Sequence, residues 1–280
     1  MHFGSHVSIA GGLTAAVKRA VDFEETTFQI FSRNPRGRSK NKFSDKDIKE
    51  AAKLREQHGI ASFYIHTPYF TNLASPKNNL WHFSIKSVVE DLETADKIGS
   101  HNFVMHIGHH MDKGLDWGIA RVAEALQKIG EEDKSDSRIL LEITAGQGTE
   151  IGNTFEEIAE IIKRSKLPTK KIGMVLDTAH AFAAGYDLSN QLVVNKTIAE
   201  LDKTVGLDRV PLIHANDSLV GLGSHKDRHA HIGQGEIGEA GFMALVNHPQ
   251  LQDKDFIVET KKEGQKKDIE KLKALSGCGC

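Results

Sequence analysis

Short apolar runs alternate with longer amphipathic stretches along this chain. The runs are five or six residues long and rich in β-branched or aromatic residues. Continuous apolar runs of this length are typical of strands that are buried on both faces, as in a parallel sheet. The predicted strands cover residues 2–6, 27–31, 61–66, 102–106, 138–142, 172–177, 210–214 and 255–259.

The stretches between these runs have the pattern of amphipathic helices. Apolar residues recur at spacings of three and four in segments such as 84–98, 117–129 and 153–162. Eight alternating strand and helix units over about 250 residues favour a (β/α)8 TIM barrel over an open doubly wound sheet. No linker or shift in composition divides the chain. We therefore predict a single domain over 1–280, with a flexible tail from about residue 270.

Six of the eight predicted strands end in an imidazole or a carboxylate side chain, at intervals of 35 to 45 residues. In a barrel, the C-terminal ends of the strands open on one face, where the active site lies. Because buried charged groups need partners or metal ions, six of them in register predict a metal centre at the barrel mouth. These residues are His66, His106, Glu142, Asp177, His214 and Glu259.

Three further candidate ligands follow the sixth and seventh strands. His180 lies three residues after Asp177, while Asp227 and His229 lie in the long segment after the seventh strand. Histidine and carboxylate ligands without cysteine suit catalytic zinc, manganese or iron rather than a structural zinc knuckle. Nine candidates are too many for one ion that keeps an open position, so two or three ions fit the set. Multi-metal sites of this kind commonly activate water and bind a phosphate.

Composition excludes several classes of protein. Hydrophobic residues make up 39% of the chain, and 36 Lys and Arg against 38 Asp and Glu leave a net charge of −2. This balance argues against a basic nucleic-acid coat protein and against a disordered chain. We find no apolar run of transmembrane length, no signal-peptide pattern, and two cysteines, Cys278 and Cys280, too close together to staple a fold. We therefore expect a cytoplasmic protein with no membrane partner.

One segment concentrates positive charge. Residues 33–42 hold five basic residues and no acidic one, directly after the second predicted strand. The segment follows a strand end, so it lies on the same face as the candidate metal ligands. Beside a site that binds phosphate, such a loop predicts contact with nucleic acid.

Several motifs together resemble those of the endonuclease IV family of apurinic/apyrimidinic endonucleases, which are zinc-dependent DNA repair enzymes. The similarity extends from residue 4 to about residue 260. The matching motifs are GSHVSIAGG at 4–12, FSRNPR at 31–36, EITAGQG at 142–148, DTAHAFAAGYDL at 177–188, HANDS at 214–218, DRHAHIGQGEIG at 227–238 and VET at 258–260.

The resemblance implies a TIM barrel with three zinc ions, although manganese or iron would suit the same ligands at some positions. One ion is implied at His66, His106 and Glu142. A second shares Glu142 and adds Asp177, His214 and Glu259, and the third is held by His180, Asp227 and His229. Glu142 and Glu259 are the implied catalytic residues, with Glu259 orienting or deprotonating the attacking water.

The implied reaction is hydrolysis of the phosphodiester 5′ to an abasic site in duplex DNA, together with trimming of blocked 3′ ends. It leaves a 3′-hydroxyl and a 5′-deoxyribose phosphate. By resemblance, Arg36, Tyr69 and Phe70 enter the DNA stack around the lesion, and we expect Arg33 and Arg38 to contact DNA as well. A monomer suffices for this chemistry, and we expect one.

The chain departs from the family pattern at several positions. Gly37-Arg38 stands where an aromatic residue is usual, His106-Ile107-Gly108 replaces the common His-Pro-Gly, and Leu219 replaces the usual lysine after HxNDS. The first change puts lesion preference in doubt, and the last removes one contact to the DNA backbone.

Two other functions remain open at this point. A sugar isomerase or epimerase of the related barrel type also gathers His, Asp and Glu on divalent metals at its strand ends. It needs only one or two ions, which leaves the His180, Asp227 and His229 group and the basic segment unexplained. A non-catalytic sensor of DNA lesions is the second alternative, although its complete ligand set argues for an enzyme.

Overall fold

The computed structural model describes residues 1–34 and 39–277. Within these residues, strands alternate with helices, as the apolar pattern predicts. The strands are β1 (His2–Ser5), β2 (Gln29–Phe31), β3 (Tyr64–His66), β4 (Asn102–His106), β5 (Arg138–Glu142), β6 (Ile172–Asp177), β7 (Leu212–His214), β8 (Asp217–Ser218), β9 (His229–Ala230) and β10 (Asp255–Val258). All eight predicted strands are confirmed as β1 to β7 and β10, and three of them have the predicted bounds.

Eight parallel strands form one sheet in the order β1-β10-β7-β6-β5-β4-β3-β2. The edges β1 and β2 meet through a parallel bridge between His6 and Gln29, where the amide of Val7 donates to the Gln29 carbonyl at 2.8 Å. A Cβ at Gly4 would collide with the carbonyl of Thr27, so glycine is needed for β1 to approach the chain before β2. The sheet is therefore a nearly closed barrel, which confirms the predicted TIM-barrel class. Strands β8 and β9 pair antiparallel outside the barrel.

Helices surround the barrel and connect its strands. In chain order they are α1 (Leu13–Asp22), α2 (Asp45–Gln57), α3 (Asn78–Ile98), α4 (Leu115–Glu132), α5 (Phe155–Ser165), α6 (Thr178–Ala184), α7 (Gln191–Thr204), α8 (Gly238–Val246) and α9 (Gln265–Leu275). Four short 3₁₀ turns lie among the described residues at Thr169–Lys171, Leu207–Arg209, Pro249–Leu251 and Lys262–Gly264. Across residues 1–34 and 39–277, no helix has both the length and the apolar character needed to cross a bilayer.

Side-chain caps fix where several helices begin. The Thr154 hydroxyl accepts the amide of Glu157 at the start of α5, which is the usual way to satisfy a free helical N–H. Asp47 caps α1 from the following unit, because its carboxylate accepts the amides of Leu13 and Thr14 at 2.8 and 2.9 Å. These caps hold the loops that leave the C-terminal ends of the strands.

The C-terminal segment differs from the expectation of a flexible tail from about residue 270. Helix α9 continues to Leu275, and Ile269 and Leu272 are fully buried in the core. Burial of these two apolar side chains stabilises the helix against the barrel. Cys278 and Cys280 lie outside the described residues.

Candidate metal centre at the barrel mouth

The alternation of side chains along the strands places the candidate ligands. Six side chains fill one cluster inside the barrel: Tyr64, Val104, Leu140, Val175, Leu212 and Ile257. Each stands two residues before one of the six predicted strand-end ligands. Side chains two apart on a strand point to the same face. Since the apolar residue two positions earlier points into the barrel, each candidate ligand also points inward. The apolar layer therefore lies inside the barrel directly below the polar side chains.

The first group consists of His66, His106 and Glu142, whose ligand atoms lie within 4.8 Å of one another. The Nε2 atoms of His66 and His106 lie 2.9 and 3.6 Å from Glu142 Oε2. The Nδ1–H of His66 donates to the Thr67 carbonyl at 2.6 Å, which leaves Nε2 facing the group.

The second group consists of Glu142, Asp177, His214 and Glu259. His214 Nδ1 lies 3.0 Å from Glu142 Oε1, 3.3 Å from Glu259 Oε2 and 3.9 Å from Asp177 Oδ2. Glu142 thus belongs to both groups through its two different oxygens. A carboxylate placed in this way is suited to bridge two cations.

The third group is centred on His180 and His229. Their Nε2 atoms lie 3.3 and 3.2 Å from Asp227 Oδ1. The structure adds Asp177 to this group, since its Oδ2 lies 3.9 Å from His229 Nε2. The Nδ1–H of His180 donates to the Ile143 carbonyl at 2.9 Å, so Nε2 again faces the group.

The pKa values of the candidate ligands reflect two opposing effects, burial and the charge of neighbouring side chains. Burial alone would raise the pKa of Glu142, yet His106 and His214 hold it well below its ordinary value. Burial would lower the pKa of His214, but the charges of Glu259 and Glu142 raise it to about 9. His106, in contrast, has a pKa lowered to about 4, mainly by burial. Buried carboxylates at this density need positive charge.

The donor set fits divalent metal ions. It contains imidazole nitrogens and carboxylate oxygens, and three or four such donors meet at each of the three places described above. Nitrogen and oxygen donors without sulfur suit zinc, manganese or iron. The described residues therefore include three adjoining groups that could hold metal ions.

Sequence reasoning missed two uncharged residues that hydrogen-bond the candidate ligands. Asn216 donates from Nδ2 to Asp177 Oδ2 at 2.7 Å and accepts the Glu259 amide at Oδ1 at 2.8 Å. Gln29 contacts both Glu259 and His214 from β2. Asn216 lies in the HANDS motif, which was a usable signal, whereas Gln29 has the pattern of an ordinary strand residue.

Three of the five predicted DNA-contact residues lie in the described chain. Tyr69 is 73% exposed, and its ring centre lies 5.7 Å from that of His106. Phe70 is half-buried, with its ring 5.8 Å from Phe83. Arg33 is buried, with ion pairs to Asp91 at 2.7 Å and Glu90 at 2.9 Å.

The burial of Arg33 corrects the prediction that its side chain contacts DNA. A guanidinium that is held by two carboxylates of α3 is not presented to a phosphate backbone. Arg36 and Arg38 lie outside the described residues.

Exposed apolar side chains gather around the same mouth. They lie on the loops and first helical turns that follow β3, β4 and β8, and they are Tyr69, Met111, Leu115, Trp117, Leu219 and Leu222. A cavity of about 110 Å³ opens here between Tyr69, His106 and Asp227. A larger groove of about 500 Å³, lined by Val7, Ile9 and other residues, contains none of the nine candidate ligands.

Comparison with known proteins agrees with this geometry. The profile of the family described as xylose isomerase-like TIM barrel matches residues 17–275. A curated relative, the probable endonuclease 4 of Halothermothrix orenii, is 42% identical over 98% of this chain and 99% of its own length. The crystal structure of endonuclease IV from Thermus thermophilus matches with a TM-score of 0.88 at 34% identity, covering 100% of both chains.

A structure described as a D-tagatose 3-epimerase-like protein also matches, with a TM-score of 0.73 at 21% identity, covering 99% of this chain and 98% of that one. Likeness at this level of identity shows a shared barrel fold alone. The full-length matches at 42% and 34% identity, in contrast, are specific. The chain therefore belongs to the endonuclease IV family of xylose isomerase-like TIM barrels.

Proposed function

We propose that this protein is a metal-dependent DNA repair endonuclease that hydrolyses the phosphodiester bond 5′ to abasic sites. The observation that carries the proposal is the linkage of the three ligand groups. Glu142 joins the first group to the second, and Asp177 joins the second to the third. A chain of adjoining cation sites suits a phosphodiester, which has an attacked phosphorus, charged oxygens and a departing oxygen close together.

We assign three zinc ions to these groups: one to His66, His106 and Glu142, one to Glu142, Asp177, His214 and Glu259, and one to His180, Asp227 and His229. Bound zinc supplies Lewis acidity that makes water a nucleophile near neutral pH and offsets charge on phosphate oxygens. Manganese or iron at some positions would supply similar chemistry.

The residues of the chain then set the geometry of the reaction. Glu259 Oε1 is held by the amide of Gln29 at 2.6 Å, so Oε2 is left to face His214 and the attacking water. On the other side of the centre, Asp227 is partly exposed and lies beside the cavity of about 110 Å³. We place the scissile phosphate in that cavity, with its departing 3′ oxygen toward His180, Asp227 and His229.

Selectivity for abasic sites follows from the cost of exposing a nucleotide. A nucleotide without a base has no stacking to lose, so turning it out of the duplex costs less than turning out a normal one. We assign the exposed ring of Tyr69, which lies beside His106, to supporting the distorted duplex. Phe70 and the arginines Arg36 and Arg38 are assigned to DNA contact on the family pattern.

The same site would also trim blocked 3′ ends, because a 3′-phosphate or phosphoglycolate presents the same ester oxygen to the third group. Duplex DNA is therefore the proposed partner. We expect the protein to act as a monomer in the cytoplasm.

The proposal is tested with a labelled duplex that carries one reduced abasic analogue, compared with the undamaged duplex. The reduced sugar cannot undergo elimination, so only hydrolysis cuts it. We expect cleavage on its 5′ side with a 3′-hydroxyl end, after loading the protein with zinc, and an intact control. No cleavage with either zinc or manganese would refute the proposal. In that case absence of binding would favour the isomerase alternative, and persistent lesion binding would favour the sensor.

A further inference from the structure

Gln29 is a buried polar side chain beside the candidate ligands that takes no chemical part in the proposed reaction. It lies on β2, is fully buried, and its amide sits against the second ligand group. We infer that Gln29 is a positioning residue that fixes the ring of His214 and the carboxylate of Glu259 for binding one cation. The inference rests on the proposed function, because it concerns the metal site of that reaction.

The hydrogen bonds of Gln29 can be assigned from the chemistry of its partners. An ionised carboxylate only accepts hydrogen bonds, so the group 2.6 Å from Glu259 Oε1 must be the amide nitrogen of Gln29. The amide oxygen then faces His214 Nε2 at 2.9 Å. An oxygen that only accepts requires a hydrogen on Nε2. The imidazole of His214 therefore donates through Nε2, and its other nitrogen, Nδ1, faces the second group.

This orientation is the one that a metal ligand needs. His214 Nδ1 lies 3.0 Å from Glu142 Oε1 and 3.3 Å from Glu259 Oε2, where a cation would meet all three. A metal-binding imidazole usually donates its other N–H to a neighbouring acceptor, which fixes both its tautomer and its ring orientation. Gln29 supplies that acceptor, and with the same amide it supplies a donor to the carboxylate of Glu259.

The backbone holds Gln29 in place at the seam of the barrel. Its carbonyl accepts the amide of Val7 at 2.8 Å, and it bridges to His6 across the closing strands. Its amide nitrogen also lies 3.0 Å from His6 Nδ1. Strands β1 and β2 carry none of the nine predicted ligands. At this side of the barrel mouth, His6 and Gln29 instead contact the candidate ligand Glu259.

The test compares wild-type protein with Gln29→Met, which keeps the length of the side chain and removes its hydrogen bonds to His214, Glu259 and His6. Metal-free protein is titrated with Zn²⁺ against a competing chelator. We expect Gln29→Met to bind one of its zinc ions about ten- to a hundredfold more weakly than wild-type protein does, as is usual when such a supporting group is removed. The other zinc ions should keep their affinity.

A spectroscopic measurement separates positioning from a general structural effect. In zinc-loaded wild-type protein, nitrogen NMR of the histidine rings should show His214 with a hydrogen on Nε2 that exchanges slowly with water. Gln29→Met should lose that slow exchange. Gln29→Glu keeps an acceptor for His214 but loses the donor to Glu259. It should therefore retain the slow exchange while its zinc affinity falls, and this second variant serves if Gln29→Met does not fold.

Thr27→Val is the matched control. Thr27 lies two residues before the same strand, is buried, and its hydroxyl bonds Ser62 away from the ligand groups. The variant should leave zinc affinity and the His214 signal unchanged. Unchanged zinc affinity in folded Gln29→Met, or loss of the signal in Gln29→Glu, would overturn the inference. If wild-type protein bound neither zinc nor manganese, the proposed function would fail, and this inference would fail with it.

Discussion

At the scale of single residues, Glu142 has the most demanding environment in the site. It is fully buried at the end of β5, and its two oxygens face different histidines. Burial of a carboxylate at this depth is costly unless positive charge surrounds it. The imidazoles of His66 and His214, whose pKa values are raised by neighbouring carboxylates, meet that need. They are also side chains that would share bound cations with Glu142.

Substitution of Glu142 by glutamine tests its role as the bridge between two groups. The amide keeps the shape of the side chain but removes the charge and replaces one acceptor oxygen with a donor. We expect hydrolysis of the abasic duplex to fall by at least about a hundredfold, with binding of the lesion duplex largely retained. Rates are measured under single-turnover conditions, with the exposed surface variant Glu124→Gln as control. Equal cleavage by Glu142→Gln would remove Glu142 from the centre.

Glu25 shows a different use of burial, away from the mouth. It is 2% exposed, and the Ser5 hydroxyl donates to its Oε1 at 2.5 Å. Burial raises the pKa of Glu25 from 4.5 to about 8, although the hydrogen bonds of Ser5 oppose the shift. The folded protein therefore keeps a proton on Glu25 across a pH range in which the unfolded chain has lost it.

This difference predicts how stability changes with pH. Between pH 4.5 and 8 the folded state binds one more proton at Glu25 than the unfolded state, so the stability contributed by this group falls as pH rises. Glu25→Gln removes that loss. We expect the variant to exceed wild type in unfolding free energy by about 2 kcal/mol or more at pH 8, with the advantage gone at pH 4.5.

Urea unfolding at the two pH values measures the effect. The exposed neighbour Glu24 provides the control, because Glu24→Gln should shift stability equally little at both. A difference between Glu25→Gln and wild type that did not change with pH would contradict the prediction.

At the scale of elements, the base of the basic loop is tied to α3. Arg33 and Lys40 face each other across an antiparallel bridge, and both form ion pairs with Glu90, while Arg33 also pairs with buried Asp91. Arg33 and Lys40, which flank the loop, are therefore both anchored to α3 by ion pairs. They hold the ends of the loop, while contact of Arg36 and Arg38 with DNA stays a prediction.

This difference is testable by comparing two sets of substitutions. Arg33→Met leaves Asp91 buried without its cation, so we expect a loss of about 3 kcal/mol in unfolding free energy. The salt slope of DNA binding, which is the slope of log K against the logarithm of salt concentration, should stay unchanged. Arg36→Ala with Arg38→Ala should instead leave stability unchanged and reduce the salt slope by about 0.9 for each phosphate that is no longer neutralised. A reduced salt slope in folded Arg33→Met would show that Arg33 contacts DNA directly after all.

The loop between β8 and β9 offers a second test, because Leu219 stands where the family pattern has lysine. Its backbone amide donates to the Arg228 carbonyl at 2.9 Å, and its side chain is 59% exposed at the rim of the mouth. We expect Leu219→Lys to bind the lesion duplex more tightly and to steepen the salt slope by about 0.9. Met243→Lys, exposed on α8, adds the same charge elsewhere and should have a smaller effect. Equal effects of the two variants would mean that net charge alone is responsible.

At the scale of the whole molecule, the candidate metal centre brings together residues from most of the barrel strands. The candidate ligands lie at the ends of β3 to β7, directly after β10 and in the segments that follow β6 and β7, so bound cations would tie distant parts of the chain together. Because cations bind the folded arrangement, they stabilise it by about 4 kcal/mol at a thousandfold excess over Kd.

Removal of metal should therefore lower the thermal midpoint. For a chain of this size, about 4 kcal/mol corresponds to a fall of roughly 10 °C. We expect a chelator to produce this fall and added Zn²⁺ to reverse it, as measured by calorimetry. A variant with His180→Ala and His229→Ala should show a smaller fall, since one group has lost two ligands. Identical midpoints with and without metal would argue against resident cations.

The sequence by itself determined the barrel class, the positions of the strands and the set of candidate ligands. These follow from local rules: apolar runs bury on both faces, and a polar residue at the end of such a run emerges at the mouth. The predicted bounds of β4, β5 and β6 agree with the structure because these strands are apolar along most of their length.

Only the tertiary structure decided which uncharged side chains hydrogen-bond the candidate ligands and which basic residue is buried. Gln29 and Asn216 acquire their roles from partners up to 230 positions away in the chain, and Arg33 is buried because α3 presents Asp91 to it. Helix α9 is ordered to Leu275 because it packs on the barrel, whereas its sequence alone is mostly polar. Local pattern specifies what a residue can do, while contacts between distant segments determine which of those possibilities it uses.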